Sequence, residues 1–230
     1  MSHDVIFQNL KSISFKDAWD YQEELFRKIL EGKKQGTHDY NQYLLFCEHP
    51  HVYTLGKSGQ EENLLISEKF REEKQIEYFR INRGGDITYH GPGQLVGYPI
   101  INLEEYRLGV KSYISSIEEV IIQTLREYGI ESTRLDGNIG VWLDVDNPQK
   151  TRKICAIGVR TSRFVTMHGF AFNINTDLQY FDYINPCGIT DKGVTTMQKE
   201  LGRELDFDEV SSIVKQKFSE VFGMQFFDKE

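Results

Sequence analysis

Three amphipathic helices are predicted from the spacing of hydrophobic residues along the chain. In the central one, apolar and aromatic side chains fall on a single stripe, and Gly129 follows where helices commonly end. The outer two each begin at a Ser or Asp that is followed three positions later by an acidic residue, which is an N-terminal capping pattern. The predicted helices cover 14–32, 112–128 and 206–223.

Short segments rich in β-branched and aromatic residues lie between the helices and are typical of β-strands. Most connections between them are too short for helical crossovers. We therefore predict an α+β fold with a mixed, mainly antiparallel sheet flanked by helices, which we expect to cover one side of it. No linker divides the chain, so one domain over 1–230 is expected. The predicted strands cover 43–47, 52–55, 76–81, 95–101, 139–143, 154–159 and 170–174.

Composition narrows the possible partners. The chain has 230 residues, of which 39% are hydrophobic and 13% aromatic, enough for a full core. Its net charge of −8 argues against nucleic acid, because phosphate binding needs a concentrated basic surface. No run of about 18 apolar residues occurs, and the first residues lack the pattern of a signal peptide. We therefore expect no membrane contact and a cytoplasmic location.

The stretch from 83 to 99 is the strongest sign of a binding site. It contains five glycines and two prolines, interspersed with the polar residues Arg83, Thr88 and His90. Glycine is favoured where a backbone must approach another group closely, and an ordinary turn needs only one or two. A hairpin with glycine bulges is the alternative interpretation. Strand-like segments on both sides favour a ligand-binding loop.

The three cysteines differ in context. Their odd number and wide spacing suit reduced thiols better than disulfides or a zinc site. Cys47 and Cys155 lie in apolar strand-like segments, where a thiol behaves as a small hydrophobic group. Cys187 lies in the turn sequence Asn-Pro-Cys-Gly and is the candidate nucleophile. It needs a base or a cation beside it, and the histidines and Lys153 are the available groups.

Each possible cofactor or metal motif in the sequence is incomplete. Gly56-Lys57-Ser58 resembles the end of a phosphate-binding loop, but His51 stands where that pattern needs glycine. The glycines at 91, 93 and 97 are wrongly spaced for a dinucleotide fingerprint. His49 and His51 have no further metal ligand at suitable spacing. We therefore expect neither a cofactor nor a metal.

Four motifs follow one another along the chain. They are Arg-Gly-Gly-x-x-Thr-Tyr-His-Gly-Pro-Gly-Gln at 83–94, Lys-Ile-Cys-Ala-Ile-Gly at 153–158, His-Gly-Phe-Ala-x-Asn at 168–173 and Asn-Pro-Cys-Gly at 185–188. Taken in this order, the motifs resemble those of the octanoyltransferases of lipoate biosynthesis, the lipoyl(octanoyl) transferases. The likeness extends over roughly residues 43–190.

The resemblance implies a catalytic dyad of Cys187 and Lys153. In such enzymes the cysteine attacks the thioester of octanoyl-acyl carrier protein, and the acyl group then passes to a lysine of a lipoyl domain. The implied acceptors are the lipoyl domains of 2-oxoacid dehydrogenase E2 subunits and the glycine cleavage H protein. The implied fold is that of biotin and lipoate protein ligases, which is similar to class II synthetases. Sequence leaves open whether Lys153 acts as a cation or as a base.

A pocket for the acyl chain is also implied. The glycine-rich loop would form its wall, and small residues would leave room for a chain whose burial contributes about 0.8 kcal/mol per methylene. Donors for the oxyanion could be backbone N–H groups near Cys187 or Gly158, with His90 as a further candidate. The implied binding residues are Arg83, Gly84, Gly85, Asp86, Ile87, Thr88, Tyr89, His90, Ala156, Ile157, Gly158, Gly169, Phe170 and Ala171.

Three other functions are compatible with the sequence. An amidotransferase that moves octanoyl between lipoyl-domain proteins would use the same dyad. A ligase that activates lipoate with ATP would share the fold but would not need Cys187. A non-catalytic acyl-binding or carrier-protein-binding module would function equally well without Cys187. Between 150 and 163 five basic residues occur without an acidic one, which suggests steering of acidic carrier domains or, alternatively, a charged strand edge.

Overall fold

Two β-sheets form the framework of the molecule. A computed structural model describes residues 3–37, 39–185 and 192–228. The strands are β1 (His3–Ser12), β2 (Gln42–Glu48), β3 (Val52–Leu55), β4 (Glu77–Arg80), β5 (Ile87–His90), β6 (Gln94–Ile100), β7 (Thr133–Leu135), β8 (Asn138–Leu143), β9 (Arg152–Ser162), β10 (Val165–Asn173), β11 (Gly193–Val194) and β12 (Met224–Asp228).

The larger sheet has the strand order β12-β1-β2-β6-β10-β9-β8-β7, with β11 beside β9. Its centre is antiparallel, whereas β1 runs parallel to both β12 and β2, and β11 runs parallel to β9. The smaller sheet has the order β4-β3-β5. The predicted mixed, mainly antiparallel sheet is therefore confirmed.

Helices cover both faces of the larger sheet. Alternate residues of β2 show the division, because Leu44 and Phe46 join one core and Leu45 and Cys47 join the other. The helices α3 and α5 pack on the first face, and α1 packs on the second. The expectation that they cover one side is wrong, because α1 connects the parallel strands β1 and β2 across the second face and β1 was not among the predicted strands. The helices are α1 (Phe15–Gln35), α2 (Glu68–Glu73), α3 (Val110–Glu127), α4 (Met197–Leu201) and α5 (Phe207–Phe222).

Local end signals explain most of the helix boundaries. Ser14 caps α1 by accepting the N–H of Asp17, and Asp206 caps α5 in the same manner. The end of α1 was predicted wrongly at Gly32, which lies inside the helix. A Cβ at Gly32 would lie 2.5 Å from Cδ1 of Tyr40, so this glycine permits close packing. The chain leaves the helix at Gly36, where φ is +68°.

All seven predicted strands are present with boundaries shifted by a few residues. The structure adds β1, β5, β7, β11 and β12, together with 3₁₀ helices at Glu61–Asn63 and Leu178–Tyr183. Within the described part of the chain, none of the helices is long and apolar enough to cross a membrane.

Candidate active site

A pocket lies on the α1 face of the larger sheet, where the smaller sheet approaches β9 and β10. The space between its atoms is about 420 Å³, including the part open to solvent. It is lined by Phe15, Ile81, Arg83, Thr88, His90, Val96, Tyr98, Ala156, Ile157, Gly158, His168, Gly169, Phe170 and Ala171.

Small residues on two paired strands form the floor of the pocket. Gly158 on β9 lies opposite Gly169 on β10, and Ala156 lies opposite Ala171. Directly paired residues share one face of a sheet, so these four positions leave a shallow channel above the strands. A Cβ at Gly158 would lie 3.1 Å from Cδ of Arg83, which limits any enlargement of this residue.

Arg83 joins the glycine-rich loop to the smaller sheet. Its Nη2 donates to the backbone oxygen of Thr54 at 2.7 Å and to its Oγ1 at 3.0 Å, while Nη1 donates to the oxygen of Gly84 at 2.9 Å. The side chain is buried, and a buried cation requires such acceptors. Arg83 is therefore a rigid, positively charged part of the pocket wall.

His90 is neutral, and its hydrogen bonds define its tautomer. Gln94 donates through Nε2 to the oxygen of Tyr89 and to Oδ1 of Asn173, so its Oε1 faces Nδ1 of His90 at 2.8 Å. Nδ1 must then carry the proton. Burial, followed by the nearby His49, lowers the pKa of His90 to about 3. Because Nε2 carries no proton, this geometry does not supply an oxyanion donor at His90.

His168 lines the pocket, although sequence reasoning assigned it no role. Its φ of +58° is unusual for a residue within a strand, and its N–H donates to Oε1 of Gln22 at 3.0 Å. Burial, and secondarily Arg83, lower its pKa to about 3. Its place in the motif at 168–173 was the available signal. The other lining residues without a predicted role are Phe15, Ile81, Val96 and Tyr98. In the sequence, only their apolar character could have indicated them.

Nine of the implied binding residues line the pocket, and five lie beside it. Asp86 accepts the side-chain N–H of Asn63 at 2.7 Å and the backbone N–H of Ile87 at 2.6 Å, so its carboxylate is engaged within the protein. Tyr89 is fully buried and its hydroxyl meets Nδ1 of His51 at 2.7 Å. The five residues outside the lining are Gly84, Gly85, Asp86, Ile87 and Tyr89.

Cys187 lies outside the described residues, but the chain before and after it is well placed. Asn185 donates its N–H to the oxygen of Asn63 at 2.8 Å, beside the glycine-rich loop. After the gap, Val194 pairs with Lys153 in a parallel strand pair. The described chain is therefore held beside the glycine-rich loop before the gap and returns beside Lys153 after it.

The two other thiols lie in the core, as their sequence context predicted. Cys47 and Cys155 are both buried, and this burial raises the pKa of each thiol well above its usual value. A thiol in such surroundings is a poor nucleophile at neutral pH.

Acidic residues from elsewhere in the chain neutralise part of the positive charge of the five basic residues between 150 and 163. Arg152 forms ion pairs with Asp144 and with Glu200, and Arg160 pairs with Glu23 at 2.6 Å. Asp144 lies in the connection before β9, and Glu200 and Glu23 belong to α4 and α1, so the linear pattern of residues 150–163 did not reveal them. The surface is therefore less positive than the sequence indicated, which weakens the case for steering.

Comparison with known proteins identifies the family. Residues 14–219 match the profile of the lipoyl protein ligase A/B catalytic domain. An octanoyltransferase of Parabacteroides distasonis is 53% identical over 217 residues, which is 94% of this chain and 98% of the relative. The chain belongs to the octanoyltransferase family. Octanoyl transfer in protein lipoylation is accordingly its activity, and the predicted enzyme class is confirmed.

Solved structures confirm the expected fold for this octanoyltransferase family member. Lipoate-protein ligase A bound with ATP has a TM-score of 0.72 at 16% identity, covering 100% of this chain and 89% of the ligase. Biotin protein ligase from Aquifex aeolicus, in complex with biotin and ATP, has a TM-score of 0.53 at 15% identity, covering 96% and 70%. At such identity the likeness concerns the fold alone.

Proposed function

We propose that the chain moves octanoyl from acyl carrier protein to a lysine of a lipoyl domain through an acyl-enzyme on Cys187, with Lys153 as its partner. The observation that carries this proposal is the course of the chain. Asn185, two residues before Cys187, is hydrogen-bonded to Asn63 beside the glycine-rich loop, and Val194, seven residues after it, is paired with Lys153. Both facts support a nucleophile near a cation at one pocket.

The first half-reaction forms a thioester on Cys187. Its thiolate attacks the carbonyl carbon of the octanoyl thioester while the acyl chain lies over Ala156, Gly158, Gly169 and Ala171. The tetrahedral intermediate collapses and the bond to the carrier sulfur breaks. The carrier thiolate takes a proton from the ammonium of Lys153, which leaves an amine.

The second half-reaction forms the amide. The amine of Lys153 takes a proton from the acceptor ammonium, and the resulting acceptor amine attacks the thioester carbon. The bond to Cys187 breaks and a second proton is lost to solvent, which regenerates the thiolate. The exchange of one thioester for another is nearly isoenergetic and the final amide is more stable, so the cycle requires no nucleotide.

The acceptors proposed are the lipoyl domains of 2-oxoacid dehydrogenase E2 subunits and the glycine cleavage H protein. We place the reaction in the cytoplasm and assign it to one catalytic domain over 1–230. The remaining implied binding residues, among them Gly84 to Tyr89, are proposed to shape the wall around the substrate.

Intact-mass measurement of the acyl-enzyme tests this function. Incubation with octanoyl-acyl carrier protein, without ATP, should place one octanoyl group on the wild type and none on Cys187→Ser, and Lys153→Ala should acquire it slowly. Cys47→Ala and Cys155→Ala are matched controls, because each removes a buried thiol and should leave the adduct in place. An adduct on Cys187→Ser would overturn the proposal.

Donor preference separates the proposed function from the amidotransferase. The same measurement is repeated with an octanoylated lipoyl domain in place of the carrier protein. Faster labelling by the carrier protein is the expected result, and labelling by the lipoyl domain alone would establish the amidotransferase. A requirement for ATP would instead indicate a ligase, and labelling by neither donor would indicate a binding module.

A further inference from the structure

An aromatic ring on the neighbouring strand β8 lies directly opposite Lys153 on β9. In the register of β8 with β9, Trp142 is the partner of Lys153, and Nζ of the lysine is 4.5 Å from the centroid of the indole. This distance is within the range of cation–π interactions, in which the ring face attracts a cation but not a neutral amine. The contact is therefore sensitive to the protonation of Lys153.

The indole is held firmly in this position. Trp142 is buried, and its Nε1 donates to the backbone oxygen of Asn138 at 3.0 Å. The register of β8 with β9 shifts between Val141 and Trp142, and such irregularities commonly redirect a side chain. The ring therefore presents one face to Lys153 in a fixed orientation.

Gly140 makes room for the stem of the lysine. Its φ is +124°, and a Cβ at this position would lie 2.5 Å from the oxygen of Cys155 and 3.4 Å from Cε of Lys153. The N–H of Gly140 donates to Oε1 of Glu118 at 3.0 Å. The other carboxylate oxygen of Glu118 accepts from Arg134, so α3 fixes the backbone beneath the lysine.

The geometry points to Trp142 as a positioning residue that holds Lys153 as an ammonium at the start of the cycle. This inference rests on the proposed function, in which Lys153 partners Cys187. It also selects between the two roles that sequence left open, because a ring face favours the cation. Lys153 then begins as the charge that stabilises the thiolate of Cys187, and it becomes a base only after protonating the carrier thiolate.

The pH dependence of Cys187 acylation tests this role. Trp142→Leu keeps the surroundings apolar but removes the ring face, whereas Trp142→Phe retains one. Phe222→Leu is the matched control, because it makes the same kind of change in a buried ring of α5. Single-turnover acylation by octanoyl-acyl carrier protein is measured by intact mass across the pH range.

We expect Trp142→Leu to acylate about tenfold more slowly at neutral pH, because the ammonium is no longer held in place, and to lose activity on the basic side about one pH unit earlier, because the ammonium loses its proton more readily. Trp142→Phe should recover most of the rate and the wild-type profile. Phe222→Leu should leave the profile unshifted. A wild-type profile in Trp142→Leu would overturn the inference.

Fluorescence tests the contact without any catalysis. The chain has two tryptophans, so Trp19→Phe leaves Trp142 as the sole indole. Its emission should change with pH as Lys153 titrates, and the change should disappear when Lys153→Met is added. Equal titration in both proteins would refute the contact.

The two measurements also distinguish a failure of this inference from a failure of the proposed function. If the wild type forms no adduct on Cys187, the proposed function fails, while the fluorescence still reports on the contact. If the adduct forms but neither measurement responds to the ring or to Lys153, only the role of Trp142 fails.

Discussion

The two faces of β5 differ in what their side chains do. Thr88 and His90 line the pocket, whereas Ile87 and Tyr89 belong to a separate hydrophobic cluster. Successive side chains of a strand point to opposite faces, so one continuous motif is divided between two environments. The comparison shows that a sequence motif can combine residues that meet a ligand with residues that hold the neighbouring chain.

The second face of β5 supports the segment that leads to Cys187. The ring of Tyr89 stacks on that of Tyr180 with centroids 4.9 Å apart, and His51 stacks on Tyr180 at 4.1 Å. Tyr53 donates its hydroxyl proton to the backbone oxygen of Tyr180 at 2.6 Å. The 3₁₀ helix at Leu178–Tyr183 is thereby fixed to the smaller sheet. The pocket face and this face, which we call the supporting face of β5, should respond differently to perturbation.

Acid should destabilise the protein mainly through the histidines around the pocket. Burial lowers the pKa of His90 and His168 to about 3 and that of His49 to about 4, against about 6.5 in an unfolded chain. The unfolded chain then binds more protons, so stability falls as pH decreases below about 6.5. Each histidine can cost about 2 kcal/mol at pH 5, or about 6 kcal/mol together.

Urea unfolding at pH 7 and pH 5 measures this loss of stability. His51, on the supporting face, is half-buried and its pKa is lowered less by burial. His51→Gln should therefore leave the difference in unfolding free energy between pH 7 and pH 5 nearly unchanged. His90→Gln should remove about a third of it. Equal stability at the two pH values would contradict the neutral, buried state of these histidines.

Removing the ring of Tyr89 should cost about 3–5 kcal/mol of unfolding free energy, because the side chain is fully buried and stacked. Tyr89→Phe loses only the hydroxyl contact with His51 and should cost about 1 kcal/mol. Urea unfolding of Tyr89→Ala, with Thr88→Ala from the pocket face as the control, measures the contrast. A similar loss in both variants would show that the two faces do not differ.

Sequence predicted the elements whose signals are local and missed those that depend on distant chain. The cap at Asp206 and the end of the helix at Gly223, where φ is positive, are local features of one helix, and the sequence predicted both boundaries. The pairing of β1 with β12 joins the two ends of the described chain. No local sequence pattern in either strand indicates its partner. At the site, motifs marked His90, but the hydrogen bond from Asn63 to Asp86 appears only once the loop is folded.

The variant Asp86→Asn should show whether the side chain of Asp86 supports the chain that leads to Cys187 or contacts the substrate. The carboxylate of Asp86 accepts the side chain of Asn63, whose backbone oxygen accepts the N–H of Asn185. Replacing the charged acceptor by an amide should cost about 1–2 kcal/mol of stability. Because the link leads toward Cys187, we expect a lower kcat for acylation with little change in KM. Asn63→Ala should give the same pattern, and a rise in KM for Asp86→Asn alone would indicate that its side chain meets the substrate.

Narrowing the floor of the pocket should give the smallest effect, a change in preference for acyl chain length. Ala156 faces the channel, so Ala156→Val should displace about one methylene of the acyl chain and favour a shorter donor about fourfold, since one buried methylene contributes about 0.8 kcal/mol. Val159→Ala, from the opposite face of β9, removes volume from the core and should leave the preference unchanged. Competition between hexanoyl and octanoyl carrier protein measures the ratio by intact mass. An unaltered ratio in Ala156→Val would place the acyl chain elsewhere, because a chain lying on this floor cannot avoid the added methyl groups.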